Sequence, residues 1–197
     1  MTQDPSRRFA AFRERRRKGG TRRLDPRLRI RIPEVADAEA IARISSEREG
    51  GDPTARLPDI RWGIRRDRRS RGALVLVAEI AGTTVGFGRL RYVPHIPPRA
   101  RAGYAPGGWY LTGVIVDPDF RRRGVAHILT RDRLRWIASR SRHAYYVANA
   151  RNRASIALHE AFGFVEMTPG PELAGIAFCG GEGVLFRADL TQTTLGT

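Results

Sequence analysis

The chain has one cysteine, Cys179, so an internal disulfide is excluded. Structural disulfides belong to oxidising compartments, and their absence fits a reducing cytosol. No apolar stretch approaches the roughly 20 residues that cross a bilayer. The arginine-rich N-terminus has no apolar segment after it, which is not the pattern of a secretory signal. We therefore expect a cytoplasmic protein that does not associate with membranes.

Lysine is nearly missing as well, because Lys18 is the only one among 36 basic residues. The net charge is +16, and residues 1–31 contribute +9 of it, with twelve basic and three acidic residues. The segment 1–27 has too few apolar residues for a core, which predicts a disordered basic tail. Such a tail can contact phosphates. We expect it to be solvated instead and do not expect specific nucleic-acid binding.

The rest of the chain is long enough for one domain, predicted over residues 28–190 with a short tail at 191–197. Asp37 is expected to cap a first helix whose apolar stripe is Ala40, Ile41 and Ile44. A second, polar helix is expected within 57–70, buried through Ile60 and Ile64.

Residues 94–108 and 168–182 are predicted to be long loops. Predicted strands alternate with helices, which indicates an α/β domain with a mixed sheet; the strands are 28–32, 74–80, 85–93, 109–116, 144–148, one from 164, and 183–188.

A strand-to-helix turn over residues 114–129 carries the strongest functional pattern. β-Branched residues lead to Asp117 and Pro118, and helical periodicity follows. Arg121, Gly124 and Ala126 have the spacing [RQ]-x-x-G-x-[GA]. The first N–H groups of a helix favour an anion, and small residues let it approach closely. With the neighbouring arginines, this pattern predicts a pyrophosphate site.

A second pattern follows the fifth predicted strand. Asn152, Ser155 and His159 are spaced i, i+3 and i+7, so they share one helix face, and Gly163 ends that helix. Asparagine is also a good helix N-cap, so Asn152 has a structural reading beside a functional one.

Together the two segments resemble the GNAT superfamily of acetyl-CoA-dependent N-acetyltransferases. The first is similar to its cofactor-binding turn, and the second to its N-x-x-[AS]-x-x-x-[LI]-[YH]-E-x-x-G-F segment. The resemblance implies a mixed, mostly antiparallel sheet flanked by helices, in which the strand 109–116 splays from its neighbour. It implies no metal and makes acetyl-CoA the co-substrate. The residues it assigns to cofactor binding are Val114, Ile115, Val116, Arg121, Arg122, Arg123, Gly124, Val125, Ala126, Asn152 and Ser155.

The resemblance also implies candidate catalytic residues. His159 stands where the family most often has a tyrosine that protonates the departing thiolate, and an imidazole can donate a proton too. Its alternative is a structural histidine bonded to a carbonyl. The strand 109–116 lacks the glutamate that many relatives place there. Glu79 and His95 are therefore the candidate bases, and water or an amine that arrives neutral stays open. A backbone N–H at 114–116 is the expected oxyanion partner.

The expected reaction is transfer of an acetyl group to a primary amine by direct attack in a ternary complex. Carboxylates and aromatic rings in the segments expected around the acceptor favour a small cationic amine, although these acids could simply decorate surface loops; they are Glu47, Glu49, Asp52, Glu172, Glu182, Tyr104, Trp109 and Phe178. The stretch 178–186 resembles the actinobacterial aminoglycoside-6'-N-acetyltransferase-like branch. The alternatives are a protein N-terminal or lysine acetyltransferase, an inert acyl-CoA-binding module, and a nucleic-acid-associated protein. A homodimer also stays open.

Overall fold

The computed structural model describes residues 25–99, 103–178 and 182–191. Most of both predicted tails, and Cys179, lie outside these residues. The chain divides into two compact units. The first unit contains the described residues up to Leu90 and Gly113–Arg133. The second unit contains the described residues of Arg91–Thr112 and those from Leu134 onward.

The described residues form four α-helices and nine strands. The helices are α1 (Ala38–Glu49), α2 (Pro53–Asp67), α3 (Val125–Ala138) and α4 (Arg153–Glu160). The strands are β1 (Leu28–Arg31), β2 (Ala73–Ile80), β3 (Thr83–Val93), β4 (Gly108–Val116), β5 (His143–Asn149), β6 (Val165–Gly170), β7 (Glu172–Leu173), β8 (Ile176–Ala177) and β9 (Gly183–Asp189).

Seven of these strands form one sheet in the order β1-β2-β3-β4-β5-β9-β6, and β7 pairs with β8. β4 and β5 pair in parallel, whereas β1–β2, β5–β9 and β6–β9 are antiparallel. The predicted mixed, mostly antiparallel sheet flanked by helices is confirmed. The parallel register runs from Trp109↔Ala144 to Leu111↔Tyr146. The splay of the two strands beyond these pairs stays a prediction.

The core of the first unit lies where α1 and α2 cover the sheet. Ile41, Ile44 and Ile64 pack with Phe87 and Ile115 in one apolar cluster. This confirms the predicted buried sides of both helices. α2 begins at Pro53, before the predicted start at 57, because the carboxylate of Asp52 accepts a hydrogen bond from the N–H of Thr54 at 2.8 Å.

Asp37 holds the beginning of α1 in a way that the sequence did not suggest. It occupies the N-cap position, but its carboxylate accepts no hydrogen bond from the helix. A 3-10 turn precedes α1, so the carboxylate faces backward and accepts from the N–H of Glu34 at 2.7 Å. It also accepts from Arg31 at 2.7 and 2.9 Å and from the hydroxyl of Thr84 at 2.6 Å. Burial opposes the charge of Asp37, but these bonds outweigh burial and lower its pKa.

The second unit is built on β5 and β9, which pair from His143↔Asp189 to Asn149↔Gly183. Tyr110 and Tyr145 stack at 5.2 Å beside Leu185 in its core. The prediction of one loop over 168–182 is wrong in part, because β6 extends to Gly170 and the β7–β8 hairpin follows. No helix in the part of the chain that the structure describes is long and apolar enough to span a membrane.

Candidate active site

The predicted pyrophosphate turn is fixed at its start by Asp117. Its carboxylate accepts from the N–H of Asp119 at 3.1 Å and begins a 3-10 turn, Pro118–Phe120. Arg43 of α1 forms an ion pair with the same carboxylate at 2.7 Å. The N–H of Asp117 donates to the carbonyl of Val85 on β3 at 2.9 Å. Both α1 and β3 therefore hold the place where β4 ends and the turn begins.

The backbone then bends sharply before α3. Arg122 and Gly124 have φ of 63° and 85°, in the left-handed region. The first bond of the helix runs from the N–H of Ile128 to the carbonyl of Gly124 at 3.1 Å. The N–H groups of Val125 and Ala126 consequently have no acceptor inside the helix. Successive N–H groups in such a bend form a concave anion site.

Two arginines of the turn are held by contacts of their own. The Nε of Arg121 donates to the carbonyl of Val116 at 3.0 Å. The guanidinium of Arg123 lies 5.1 Å from the ring centre of Phe120. Backbone N–H groups and guanidinium groups thus occur together, a donor set that fits the pyrophosphate of acetyl-CoA.

Behind this turn the structure contains a buried arginine that the sequence analysis missed. Arg133 of α3 is 1% exposed. Its guanidinium donates to the carbonyls of Arg89 at 2.9 Å, Gly113 at 3.2 Å and Leu129 at 3.1 Å, and to the hydroxyl of Thr130 at 3.0 Å. Among the described residues no carboxylate pairs with it, and burial lowers the pKa of Arg133 to about 9. The spacing of Val125, Leu129 and Arg133 was a signal that could have revealed it, because it puts the arginine on the apolar face.

Glycines on β3 make room for these contacts. A Cβ on Gly88 would lie 2.8 Å from the Nε of Arg133, and one on Gly86 would lie 2.9 Å from the carbonyl oxygen of Ile115. Gly113, where Arg133 donates, has φ of 65°. The backbone of β4 therefore departs from a regular strand at the segment predicted to bind the thioester.

The second motif lies in the second unit, on α4. The amide oxygen of Asn152 accepts from the N–H of Ser155 at 3.2 Å, so the predicted N-cap is confirmed. The imidazole of His159 is 3% exposed, and its Nδ1 lies 2.8 Å from the carbonyl oxygen of Ser155. A carbonyl only accepts, so Nδ1 carries a proton. Nε2 can then donate only when the ring is the doubly protonated cation, which constrains the predicted role as a proton donor.

An aromatic cluster surrounds His159. Tyr146 of β5 stacks on the imidazole at 3.8 Å, and Phe164 meets it edge-on at 5.4 Å. The Tyr146 side chain is 2% exposed, and its hydroxyl has no hydrogen-bond partner within the described ranges. Burial raises the pKa of Tyr146, so the phenol is protonated and a potential donor. No sequence pattern indicated a role for Tyr146.

The two candidate bases belong to different units of the chain. Glu79 belongs to the first unit and binds the Nε of Arg31 at 2.7 Å. This contact favours a structural role for Glu79. His95 belongs to the second unit, where it is exposed and lies 6.4 Å from the ring of Tyr104. A catalytic role for either residue stays a prediction.

A cleft of about 420 Å³ in the first unit lies beside α1, α2, β3 and β4, and we call it the α1–α2 cleft. Its apolar lining includes Ile41, Ile60, Phe87 and Ile115, and Trp62 lies at its edge. Three carboxylates and three arginines also line it; they are Glu49, Asp59, Asp67, Arg56, Arg66 and Arg89.

Most of the predicted acceptor residues lie elsewhere. Glu49 lines the α1–α2 cleft, whereas Glu47 pairs with Arg43 at 3.1 Å. Tyr104 and Glu172 line another cleft, of about 580 Å³, in the second unit. Of the remaining predicted aromatics, Trp109 is buried and its ring meets those of Tyr92 and Trp136 edge-on, and Phe178 packs against the second unit's core.

Solved structures with this fold include N-acetyltransferases. A chimera of the Vibrio cholerae spermidine N-acetyltransferase SpeG and hSSAT is 16% identical, with 84% of this chain and 97% of that chain covered and a TM-score of 0.65. The putative acetyltransferase yncA of Salmonella typhimurium, solved with acetyl-CoA, is 20% identical, with 85% and 96% covered and a TM-score of 0.62. The ribosomal-protein-alanine N-acetyltransferase of Brucella melitensis is 24% identical, with 81% and 98% covered and a TM-score of 0.59.

No curated protein sequence matches the chain significantly. The family model described as the acetyltransferase (GNAT) family matches residues 38–164. This is more than half of the chain, which therefore belongs to the acetyltransferase (GNAT) family and is an acetyl-CoA-dependent N-acetyltransferase. The predicted family and co-substrate are confirmed. The aminoglycoside branch is not.

Proposed function

We propose that this enzyme acetylates the primary amine of a small molecule bound in the α1–α2 cleft. The observation that carries the proposal is the composition of this cleft. Its lining includes Ile115, which belongs to the segment expected to hold the thioester, and the carboxylate of Asp59; the lining carboxylates Glu49 and Asp67 pair with Arg56 and Arg66. Carboxylates near an apolar floor suit an ammonium group. The spermidine N-acetyltransferase that shares the fold also takes a small amine.

In this proposal the turn 121–126 binds the pyrophosphate of acetyl-CoA. Its backbone N–H groups and guanidinium groups supply the donors, as described above. The strand residues Val114, Ile115 and Val116 lie along the pantetheine arm, and a backbone N–H there stabilises the developing oxyanion. Asn152 and Ser155 of α4 are the further residues that the family resemblance assigns to cofactor binding. Acetyl-CoA itself supplies the acetyl thioester.

The transfer needs a neutral amine. A primary ammonium has a pKa of about 10.4, so it must lose a proton before attack. β4 carries no acidic residue, and we assign this proton to water in the cleft. The amine nitrogen then bonds to the thioester carbonyl carbon, and the carbon–sulfur bond breaks with its electron pair going to sulfur. A thiol pKa of about 8.5 makes the thiolate a good leaving group. His159 protonates it only from the imidazolium state.

The test blocks the cleft and leaves the cofactor turn intact. Gly63 of α2 lines the cleft, and a Cβ added there meets no atom within 4 Å. Gly63→Phe should abolish acetylation of small amines while acetyl-CoA affinity in calorimetry stays unchanged. Gly63→Ala is the matched control and should stay active.

Turnover of an amine panel is measured by thiol release and by mass spectrometry of the product. Equal turnover by Gly63→Phe and wild type would show that the acceptor binds elsewhere. Turnover on peptides alone would establish the protein-acetyltransferase alternative, which the Brucella melitensis structure represents among the neighbours. Acetyl-CoA binding without any turnover would indicate an inert binding module.

A further inference from the structure

The α1–α2 cleft contains one arginine that no carboxylate binds. Arg56 pairs with Glu49 at 2.9 Å, and Arg66 pairs with Asp67 at 2.7 Å. Arg89 lines the same cleft, but its guanidinium has no hydrogen bond or ion pair within the part of the chain that the structure describes.

Two observations define the surroundings of Arg89. Its guanidinium lies 5.1 Å from the ring centre of Phe87, which supports the cation from one side. The Arg89 residue is exposed at the edge of the cleft, and partial removal of water by the neighbouring protein lowers the pKa of Arg89, with Arg66 acting in the same direction. The negative charges of Glu49 and Asp67 raise the pKa of Arg89, so both carboxylates interact electrostatically with its guanidinium. Both are already neutralised by their own arginines.

The cleft also contains one carboxylate without a cation. Asp59 projects from α2 and has no ion pair or hydrogen bond with any described residue. After the two internal pairs are formed, one guanidinium and one carboxylate thus remain in the same 420 Å³ space. These two groups are of opposite sign; both residues are exposed to water, and neither is paired with another described residue.

We infer that the acceptor is a small amino acid, which carries a carboxylate as well as the amine that is acetylated. This deepens the proposed function and rests on it. The planar guanidinium of Arg89 matches a carboxylate with two parallel hydrogen bonds, and Asp59 binds the ammonium before it loses its proton to water. The apolar lining by Ile41, Ile60 and Phe87 then suits an apolar side chain.

A polyamine fits these residues less well. It would neutralise Asp59 but leave the charge of Arg89 facing another cation, and like charges at close range repel each other. An anion without an amine could not accept the acetyl group. An amino acid satisfies both unpaired groups at once.

The experiment compares three matched compounds: leucine, leucinamide and 3-methylbutylamine. The amide keeps the amine but loses the negative charge, and the third compound lacks the carboxylate altogether. For the wild-type enzyme we expect kcat/KM for leucine to exceed both others by about 100-fold, which is within the range for the loss of hydrogen bonds to a charged group. The same comparison of amino acid, amide and amine for methionine, phenylalanine and alanine tests which side chain the apolar lining prefers.

Variants then assign the discrimination to Arg89. Arg89→Gln should lower kcat/KM for leucine about 100-fold and leave that for 3-methylbutylamine unchanged, because only the carboxylate contact is lost. Arg89→Lys keeps a charge and should restore part of the activity. Arg61→Gln is the control, because Arg61 of α2 lies outside the cleft lining and pairs with Glu39 at 3.6 Å; it should leave the ratio between the two compounds unchanged. Melting temperatures confirm that each variant is folded.

The outcomes separate this inference from the proposed function. If 3-methylbutylamine and leucinamide are used as well as leucine, or if Arg89→Gln lowers all three equally, the inference is overturned. The proposed function then still stands provided that Gly63→Phe abolishes turnover. If no small amine is turned over, or Gly63→Phe has no effect, both are overturned together.

Discussion

The guanidinium of Arg133 donates to the carbonyl oxygen of Gly113 at 3.2 Å, so a buried cation on α3 is tied to the bend of β4. Its other acceptors are two carbonyls and a hydroxyl, on β3 and on α3 itself. Neutral oxygens replace the counter-ion that a buried charge normally has. The planar fork of arginine can serve four acceptors in different directions, whereas a lysine ammonium is a single point.

Arg133→Lys is accordingly expected to destabilise the protein by about 2–3 kcal/mol, because it leaves buried carbonyls without donors. Urea unfolding followed by circular dichroism measures the loss. The control is Arg140→Lys, since Arg140 contacts the Trp136 ring and is exposed just after the end of α3. A loss for Arg133→Lys as small as that for Arg140→Lys would contradict the importance of the fork.

Tyr146→Phe should leave stability unchanged or raise it by about 1 kcal/mol, because the substitution removes a buried hydroxyl that has no partner in the described chain. Tyr110→Phe is the matched comparison, since the hydroxyl of Tyr110 donates to the carbonyl of Pro106 at 3.0 Å. It should lose about 1 kcal/mol. Thermal and chemical unfolding of both variants measure these changes. A clear loss of stability in Tyr146→Phe would show that the Tyr146 hydroxyl is hydrogen-bonded after all.

His159→Phe should lower kcat more than it weakens acetyl-CoA binding. The phenyl ring keeps the stack on Tyr146, and the group that protonates sulfur matters only once the carbon–sulfur bond begins to break. Because Nδ1 is held by Ser155, the donor is the imidazolium, so wild-type kcat should fall as pH rises. In the His159→Phe variant, kcat should no longer show this decrease as pH rises. Full activity in His159→Phe would make His159 structural.

Asp37 should make the free energy of unfolding depend on pH. Its folded pKa is lowered, so its contribution is complete above the unfolded value of about 3.9 and is lost as pH falls through the folded value. Asp37→Asn should therefore cost about 3 kcal/mol at pH 7, and the difference from wild type should shrink below about pH 4. Urea unfolding at several pH values measures it. The control is Asp25→Asn, which removes an exposed ion pair with Arg27 and should change the free energy of unfolding little. If the loss of stability in Asp37→Asn did not depend on pH, the argument from the charge of Asp37 would be contradicted.

Gly124→Glu should sharply reduce acetyl-CoA affinity in calorimetry, because it places a carboxylate where the phosphates are proposed to bind. Gly124→Gln is the control for shape, since it carries the same backbone strain at a φ of 85° without the charge. The Glu variant should lose more affinity than the Gln variant, and the gap should narrow at high salt. Equal affinities for the two variants would show that the phosphates bind elsewhere.

Local patterns could be predicted from the sequence, and contacts between distant segments could not. The N-cap at Asn152 and the buried sides of α1 and α2 follow from neighbouring residues alone. The bond from Arg133 to Gly113 depends on how α3 lies on β4, which no short window contains. The pair of Glu79 with Arg31 likewise depends on the register of β1 with β2, so Glu79 read as a free carboxylate from sequence alone.

The close approach of Gly88 to Arg133 has a consequence for sequence variation. A methyl group at position 88 would lie 2.8 Å from the Nε of Arg133, so a side chain there would force the Arg133 guanidinium away from its buried acceptors. Relatives are therefore expected to change the two positions together, with a smaller residue replacing Arg133 wherever Gly88 is lost. Such a pair evolves as one unit although 45 positions separate its members along the chain.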